Sequence, residues 1–384
     1  MSIGPNDVTP HYPKLADCLV STTEHPDPEI AYALATCSGY AYAHANGRAD
    51  TRTVATMMAR MGLLENRCHA IERSIDSMYI DSTVFLIQSH DGEVVILCYR
   101  GSEVFDFVDW LSDFDVEPEI YTFHFRGAEQ SANVHSGWFR GARATYDDVA
   151  TALKRAWRGE SVAEEDADAR LGKKMKALYI TGHSLGGAVG LLTAVLLKQE
   201  DDDEELREIA STLKAVYTYG QPMIGSPKFA AQCQQMDGFF DRNVVRYIHR
   251  RDVVPHVPPG AAGPFEHFGQ EWVYRPNGSK PGEKSPSQEW TLDTRRTGQA
   301  NLIEFPLLPF LVDYTGRRSP VGRNLIQGWN KLAGTVDGRI SDAAERIPMV
   351  GQYLVPPFVY SIEDHAPHHY VAKLATPGVM NEFR

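Results

Sequence analysis

Residues 178 to 189 read Leu-Tyr-Ile-Thr-Gly-His-Ser-Leu-Gly-Gly-Ala-Val, an apolar run that enters Gly182-His183-Ser184-Leu185-Gly186 and leaves through small, helix-forming residues. A strand, a serine on a tight turn and a helix make up a nucleophile elbow, which constrains the fold more than any other stretch of the chain. The geometry explains the spacing. The serine sits on a strained strand-to-helix turn, so side chains two residues before and after it collide with neighbouring backbone unless they are glycine. Gly182 and Gly186 give that clearance, and Ser184 is the candidate nucleophile. The turn also brings the backbone N–H of Leu185 to the helix N-terminus, where fixed donors and the helix dipole stabilise a developing oxyanion.

Around the elbow, helical and strand patterns alternate. Residues 28 to 46 and 50 to 73 read as helical. Two strands follow, 78 to 88 and 93 to 99, joined by an Asp91-Gly92 turn of the kind that closes hairpins. Phe139, Ala142, Tyr146, Val149, Leu153, Ala156 and Trp157 fall on one helical face. Strands at 213 to 219 and 244 to 249 flank a helix near 226 to 236, while the acidic stretches 159 to 169 and 200 to 205 read as a solvated connector and a surface loop. Alternation of this kind predicts an α/β fold, a largely parallel central sheet covered by helices on both faces. At 384 residues the chain is expected to form a single domain spanning 1–384. Residues 276–358, rich in Pro and Gly with apolar islands at 302 to 312 and 349 to 359, break the alternation and read as an insertion or cap-like segment.

Charge narrows the partners. Fifty acidic against 38 basic side chains give a net charge of −12, which repels phosphate backbones and anionic headgroups and argues against nucleic acid or a polybasic membrane anchor. No uninterrupted apolar run reaches the ~18 residues of a transmembrane helix, and the first ten residues lack the basic and apolar regions of a signal peptide. The expected location is therefore cytoplasmic, or exported by a route that needs no signal peptide. Cys18, Cys37, Cys68, Cys98 and Cys233 are scattered, odd in number and free of C-x-x-C spacing, so neither a zinc site nor a disulfide framework is expected.

A serine nucleophile needs a base within reach and an acid to orient it, and behind an elbow of this kind the chain order is serine, acid, histidine. Asp252 leads among the acids because it lies just beyond the apolar strand Val244 to His249, at the strand edge where open α/β sheets place their sites. Asp241 and Glu271 are its rivals, and a surface pairing of Asp252 with Arg250 or Arg251 is the alternative. Downstream bases are His256, His267, His365, His368 and His369. His256 sits only four residues past Asp252, and His267 follows too soon for a final strand to be complete. His365 is better placed, opening a short helix-like stretch near the C-terminus. Its spacing to His368 and His369 imitates a metal-binding helix face, but no separated carboxylate ligand accompanies it, so no metal and no organic cofactor is expected.

These residues resemble the class 3 lipases, the fungal-type branch of the α/β-hydrolases. Tyr99-Arg-Gly-Ser102 resembles the R-G-[ST] segment of that family, Asp109-Trp-Leu-Ser-Asp113 its W-x-x-D segment, and His135-Ser-Gly-Trp138 its H-x-G-F segment with Trp for Phe. Gly182 to Gly187 resembles G-H-S-L-G-G and Tyr219-Gly-Gln-Pro222 resembles F-G-x-P. Asp252-Val-Val-Pro255 resembles D-x-V-P, and Asp364-His365 with Tyr370 resembles the closing D-H-x-x-x-x-Y. The resemblance covers roughly residues 30 to 275 and 360 to 374 and leaves 276–358 outside. It implies the α/β-hydrolase fold, with Ser184 as nucleophile, Asp252 as acid, His365 as base, and an oxyanion hole formed by the N–H groups of Ser102 and Leu185.

The family carries its lid after the residue matching Ser102. Residues 103–115 hold Val104, Phe107, Val108 and Leu111 on one helical stripe, with Trp110 and Phe114 widening it and acidic residues largely opposed. Such a helix either covers an apolar cleft in water or packs as an ordinary surface helix. The implied activity is hydrolysis of carboxylic esters, foremost of acylglycerols, on a lipid or ester substrate with transient contact to a lipid interface. The alternatives are a phospholipase A1 or short-chain esterase with the same triad, and a non-catalytic hydrolase-fold interaction protein.

Overall fold

The computed structural model describes residues 9–75, 77, 80–102, 118–125, 128–163, 169–199, 202–236, 238–258, 263–275, 289–293, 363–379 and 381–383. The candidate lid, 103–115, lies outside these residues, as does 276–358 apart from 289–293. Nine helices are described: α1 Leu15–Ser21, α2 Pro28–Tyr40, α3 Thr51–Met61, α4 Ser136–Trp157, α5 Leu185–Lys198, α6 Glu204–Ser211, α7 Pro227–Gln235, α8 Phe239–Asn243 and α9 Pro367–Leu374. The strands are β1 His44–Ala45, β2 Arg48–Ala49, β3 Arg67–Ile75, β4 Ile80–Gln88, β5 Val94–Tyr99, β6 Pro118–Phe125, β7 Ala128–His135, β8 Ala177–His183, β9 Leu213–Tyr219, β10 Val244–His249, β11 Gln270–Arg275 and β12 Glu289–Leu292.

Eight strands form the central sheet in the order β12-β11-β10-β9-β8-β5-β4-β3. Its middle, from β5 through β8, β9 and β10 to β11, is parallel, and the two edges are antiparallel. This is the α/β-hydrolase arrangement. Strand alternation sorts the side chains onto two cores. Val84, Leu86, Val95, Leu97 and Tyr99 face the layer that contains α4 and α5. Phe85, Ile87, Val94, Ile96 and Cys98 face the layer that contains α1 and α2. Such double-sided burial is why β5 and β8 read as continuous apolar runs instead of alternating ones. Asp27 caps α2 by accepting from the N–H groups of Glu29 and Ile30, with Pro28 at the first helical position.

The stretch 50 to 73, read as helical, divides. Asp50 caps α3, but the helix stops at Met61 because Gly62 adopts φ 138°, and a Cβ there would lie 2.0 Å from the Tyr12 carbonyl oxygen. Arg67–Ile75 instead forms the edge strand β3, whose nine residues pair with β4. Pairing with a neighbouring strand overrides the helical pattern there. Inside 276–358, β12 extends the sheet antiparallel to β11. The five cysteines are free thiols, three of them buried. No helix among the described residues is long and apolar enough to cross a membrane.

Candidate active site

Ser184 stands between the end of β8 and the start of α5 with φ 57° and ψ −131°, a conformation a non-glycine residue holds only where its surroundings impose it. Its N–H donates to the Tyr219 carbonyl at 2.9 Å, tying the elbow to the end of β9. The flanking glycines are required sterically. A Cβ on Gly182 would lie 2.4 Å from Gly186 C, and one on Gly186 would lie 2.2 Å from Tyr99 O. Leu185 opens α5, so its N–H is among the donors that a helix start leaves without intrahelical partners. The Arg100–Ser102 loop lies against this turn, since a Cβ on Gly101 would meet Tyr42 Oη at 2.2 Å, His183 O at 2.6 Å and Ser184 Cβ at 3.2 Å.

Asp252 and His365 are brought together from 113 residues apart. His365 Nδ1 lies 2.8 Å from Asp252 Oδ2, and both side chains are fully buried. Tyr370 donates its hydroxyl to the same oxygen at 2.5 Å, while the Val254 N–H donates to Oδ1 at 2.9 Å. These three donors replace the water that burial removes from the carboxylate. Burial and the adjoining Asp252 charge push the Tyr370 phenol well above its ordinary range, keeping it a donor. Asp252 thus meets the C-terminal segment instead of forming a surface pair. Among its rivals, Glu271 is committed to a buried ion pair with Arg246 at 2.9 Å, and Asp241 is exposed on α8. Of the other histidines, His256 lies in the short turn Val254–His256, and His267 bonds Pro255 O through Nε2 at 2.7 Å. His369 stacks on His249, and His368 is exposed.

The elbow touches the acid–base pair at two points. His183 Nε2 bonds the His365 carbonyl at 2.7 Å, and the two rings lie 4.5 Å apart. Gly220, next after Tyr219, has φ 61°, and a Cβ there would fall 2.6 Å from Asp252 Oδ2 and 2.8 Å from His365 Nδ1. Read residue by residue, the sequence gives no role to Gly220, His183 or Tyr370, although all three stand in the segments that carry the family resemblance. Gly220→Ala is expected to lower kcat roughly 100-fold with little change in KM, because displacing oriented groups by about 1 Å costs that much. Steady-state kinetics beside an unfolding scan checks this.

Several buried histidines are held uncharged. Burial lowers His249 and His135 to about 3 and depresses His183 and His267 well below the ordinary value. Each binds a proton in the unfolded chain near pH 6.5 but not in the folded one, so stability is complete above about pH 6.5 and is lost as pH falls toward 3. His249 and His135 are each expected to contribute a loss on the order of a few kcal/mol by pH 4. Calorimetric Tm values from pH 7 to 4 should fall steeply; a flat profile would show that these rings are solvated. Among the described residues no group of three or more His, Cys, Asp or Glu side chains is arranged to hold a metal ion.

With this geometry in place, the chain can be compared with known proteins. Residues 96–261 match the family model described as Lipase (class 3). The match includes Ser184 and Asp252 and ends before His365. Triacylglycerol lipase OBL1 of Ricinus communis is 25% identical over 224 residues, covering 50% of this chain and 40% of that protein. The lipase of Rhizomucor miehei is 27% identical over 205 residues, covering 53% of this chain and 48% of that protein. The chain thus spans less than half the length of either relative. The crystal structure of a lipase from Rhizopus microsporus var. chinensis aligns with a TM-score of 0.47 at 20% identity, over 77% of this chain and 91% of that one. On the family match, which takes in the elbow and the strand end that carries Asp252, residues 96–261 of this chain are similar to the class 3 lipases.

Proposed function

We propose that the protein is a serine carboxylic-ester hydrolase of lipase type that cleaves acylglycerols through Ser184, Asp252 and His365. One observation carries the reading: an Asp252–His365 pair, buried and bonded at 2.8 Å, is tied through His183 to the strand end that presents a serine on a strained strand-to-helix turn. With Nδ1–H bonded to Asp252, His365 presents Nε2 as the basic nitrogen. His365 takes the hydroxyl proton as Ser184 Oγ attacks the acyl carbonyl, and Asp252 stabilises the imidazolium that forms. The N–H groups of Ser102 and Leu185 hold the oxyanion. His365 then gives its proton to the departing alcohol, leaving an acyl-enzyme. Water, deprotonated by the same histidine, releases the acid and restores Ser184. That relatives of this chain are triacylglycerol lipases supports an acylglycerol substrate, which is met at a lipid interface.

The test is an ester series from acetyl to palmitoyl, run beside emulsified triglyceride and phospholipid, with a serine-directed phosphonate as a parallel probe. Long-chain triglyceride cleavage and a phosphonate adduct on Ser184 are the expected results. Turnover confined to soluble short esters would make the protein an esterase, and faster phospholipid cleavage would make it a phospholipase. No ester turnover with an unlabelled Ser184 would overturn the hydrolase reading altogether.

A further inference from the structure

The turn that carries His365 is held by two imidazoles that the proposed reaction does not use. His183 ends β8, and its Nε2 lies 2.7 Å from the carbonyl oxygen of His365. His249 ends β10, and its Nδ1 lies 3.2 Å from the carbonyl oxygen of Asp364. Two successive carbonyls of one short turn, Glu363–His365, therefore face ring nitrogens from two strand ends. A carbonyl oxygen can only accept, so each facing nitrogen carries a hydrogen. The two rings are thereby required to hold opposite tautomers, Nε2–H on His183 and Nδ1–H on His249.

The surroundings fit this requirement. Tyr42 Oη lies 2.8 Å from His183 Nδ1, the nitrogen left as an acceptor, so the phenol is the donor. Burial keeps that phenol protonated and keeps both imidazoles uncharged at neutral pH. His249 also acts through its backbone, since its N–H donates to Tyr370 Oη at 3.1 Å while Tyr370 donates to Asp252. The charged and titratable groups packed against His249 include Asp364, His369, Arg250, Asp252, Tyr274 and Tyr370, and those against His183 include His365, Tyr42 and Tyr370.

We propose that His183 and His249 are positioning residues that clamp the His365 turn onto the ends of β8 and β10, with Tyr42 selecting the tautomer of His183. This rests on the reading of His365 as the base. The Asp252 bond orients the ring of His365 but leaves its backbone to be fixed from elsewhere, and the clamp fixes it at two adjacent carbonyls. The same strand end that presents Ser184 thereby holds the base, so nucleophile and base keep their separation when the surrounding loops move.

Paired substitutions separate a clamp from mere packing. His183→Gln and His249→Asn each keep an N–H near the lost one, whereas His183→Leu and His249→Leu fill the space without a donor. The leucine variants are expected to lower kcat roughly 10- to 100-fold with KM nearly unchanged, and the amide variants to recover most of that loss. Leucine variants at wild-type kcat, or amide variants no better than leucine ones at equal Tm, would overturn the clamp. If the leucine variants fail to fold, NMR of the ¹⁵N-histidine-labelled wild-type protein decides, with signals assigned by their loss in the amide variants. Nε2–H on His183 and Nδ1–H on His249 are expected near pH 7, and Tyr42→Phe should admit the other His183 tautomer. The opposite tautomer on either ring of the wild-type protein refutes the clamp whether or not any ester is cleaved. A wild-type protein that cleaves no ester and leaves Ser184 unlabelled refutes the hydrolase reading instead.

Discussion

Ser184→Ala is expected to abolish ester hydrolysis, lowering kcat by a factor on the order of 10⁴ to 10⁶ while the fold remains intact. The elbow does not depend on the hydroxyl. Its strain is imposed by β8, α5 and the clearance at Gly182 and Gly186, and Ser184 Oγ is buried with no hydrogen-bond partner among the described residues. Removing it therefore takes no hydrogen bond from any described group, and Tm should stay level or rise slightly. Purified variant and wild-type protein compared on one soluble ester, with Tm measured on the same samples, provide the check. Ester turnover by the variant at the wild-type rate would mean that another nucleophile does the work.

His365→Ala should be nearly as damaging to turnover, a loss on the order of 10⁴-fold or more, and it should also cost stability. The substitution strips one of the three donors from a fully buried carboxylate and leaves Asp252 with Tyr370 and the Val254 N–H. Removing one hydrogen-bond partner from a buried polar group commonly costs about 1–3 kcal/mol and more for a charged one, so a lower Tm is expected here, unlike for the serine change. His368→Ala should keep most activity because that ring is exposed. His369→Ala should lose less activity than His365→Ala because its ring meets His249 and not Asp252. Should His256→Ala prove the inactive variant while His365→Ala stays active, the base would have to be sought in the Val254–His256 turn.

The elbow was legible because its requirement is local. Strand, glycine, serine, glycine and helix lie within about twenty residues, and the steric demand for Gly182 and Gly186 arises between backbone atoms close in sequence. The parallel middle of the sheet was legible for a similar reason, since strands buried on both faces must be apolar throughout. Beyond that reach the sequence says less. Arg67–Ile75 carries a pattern that suits a helix, and only its pairing with β4 makes it a strand. Chain position and the family resemblance favour His365 among five downstream histidines; the structure adds a bond to a carboxylate 113 residues away. Gly220 looks like any turn glycine until Asp252 and His365 close over it. His183 and His249 look like ordinary residues at strand ends, and the carbonyls that they face come from a turn 182 and 115 residues along the chain. The chain by itself determined where a nucleophile can stand, because backbone sterics act between near neighbours. That His365 meets Asp252, and which strand ends its turn faces, were decided only by the tertiary structure, because hydrogen bonds across long sequence separations exist only after the sheet has brought the strand ends together.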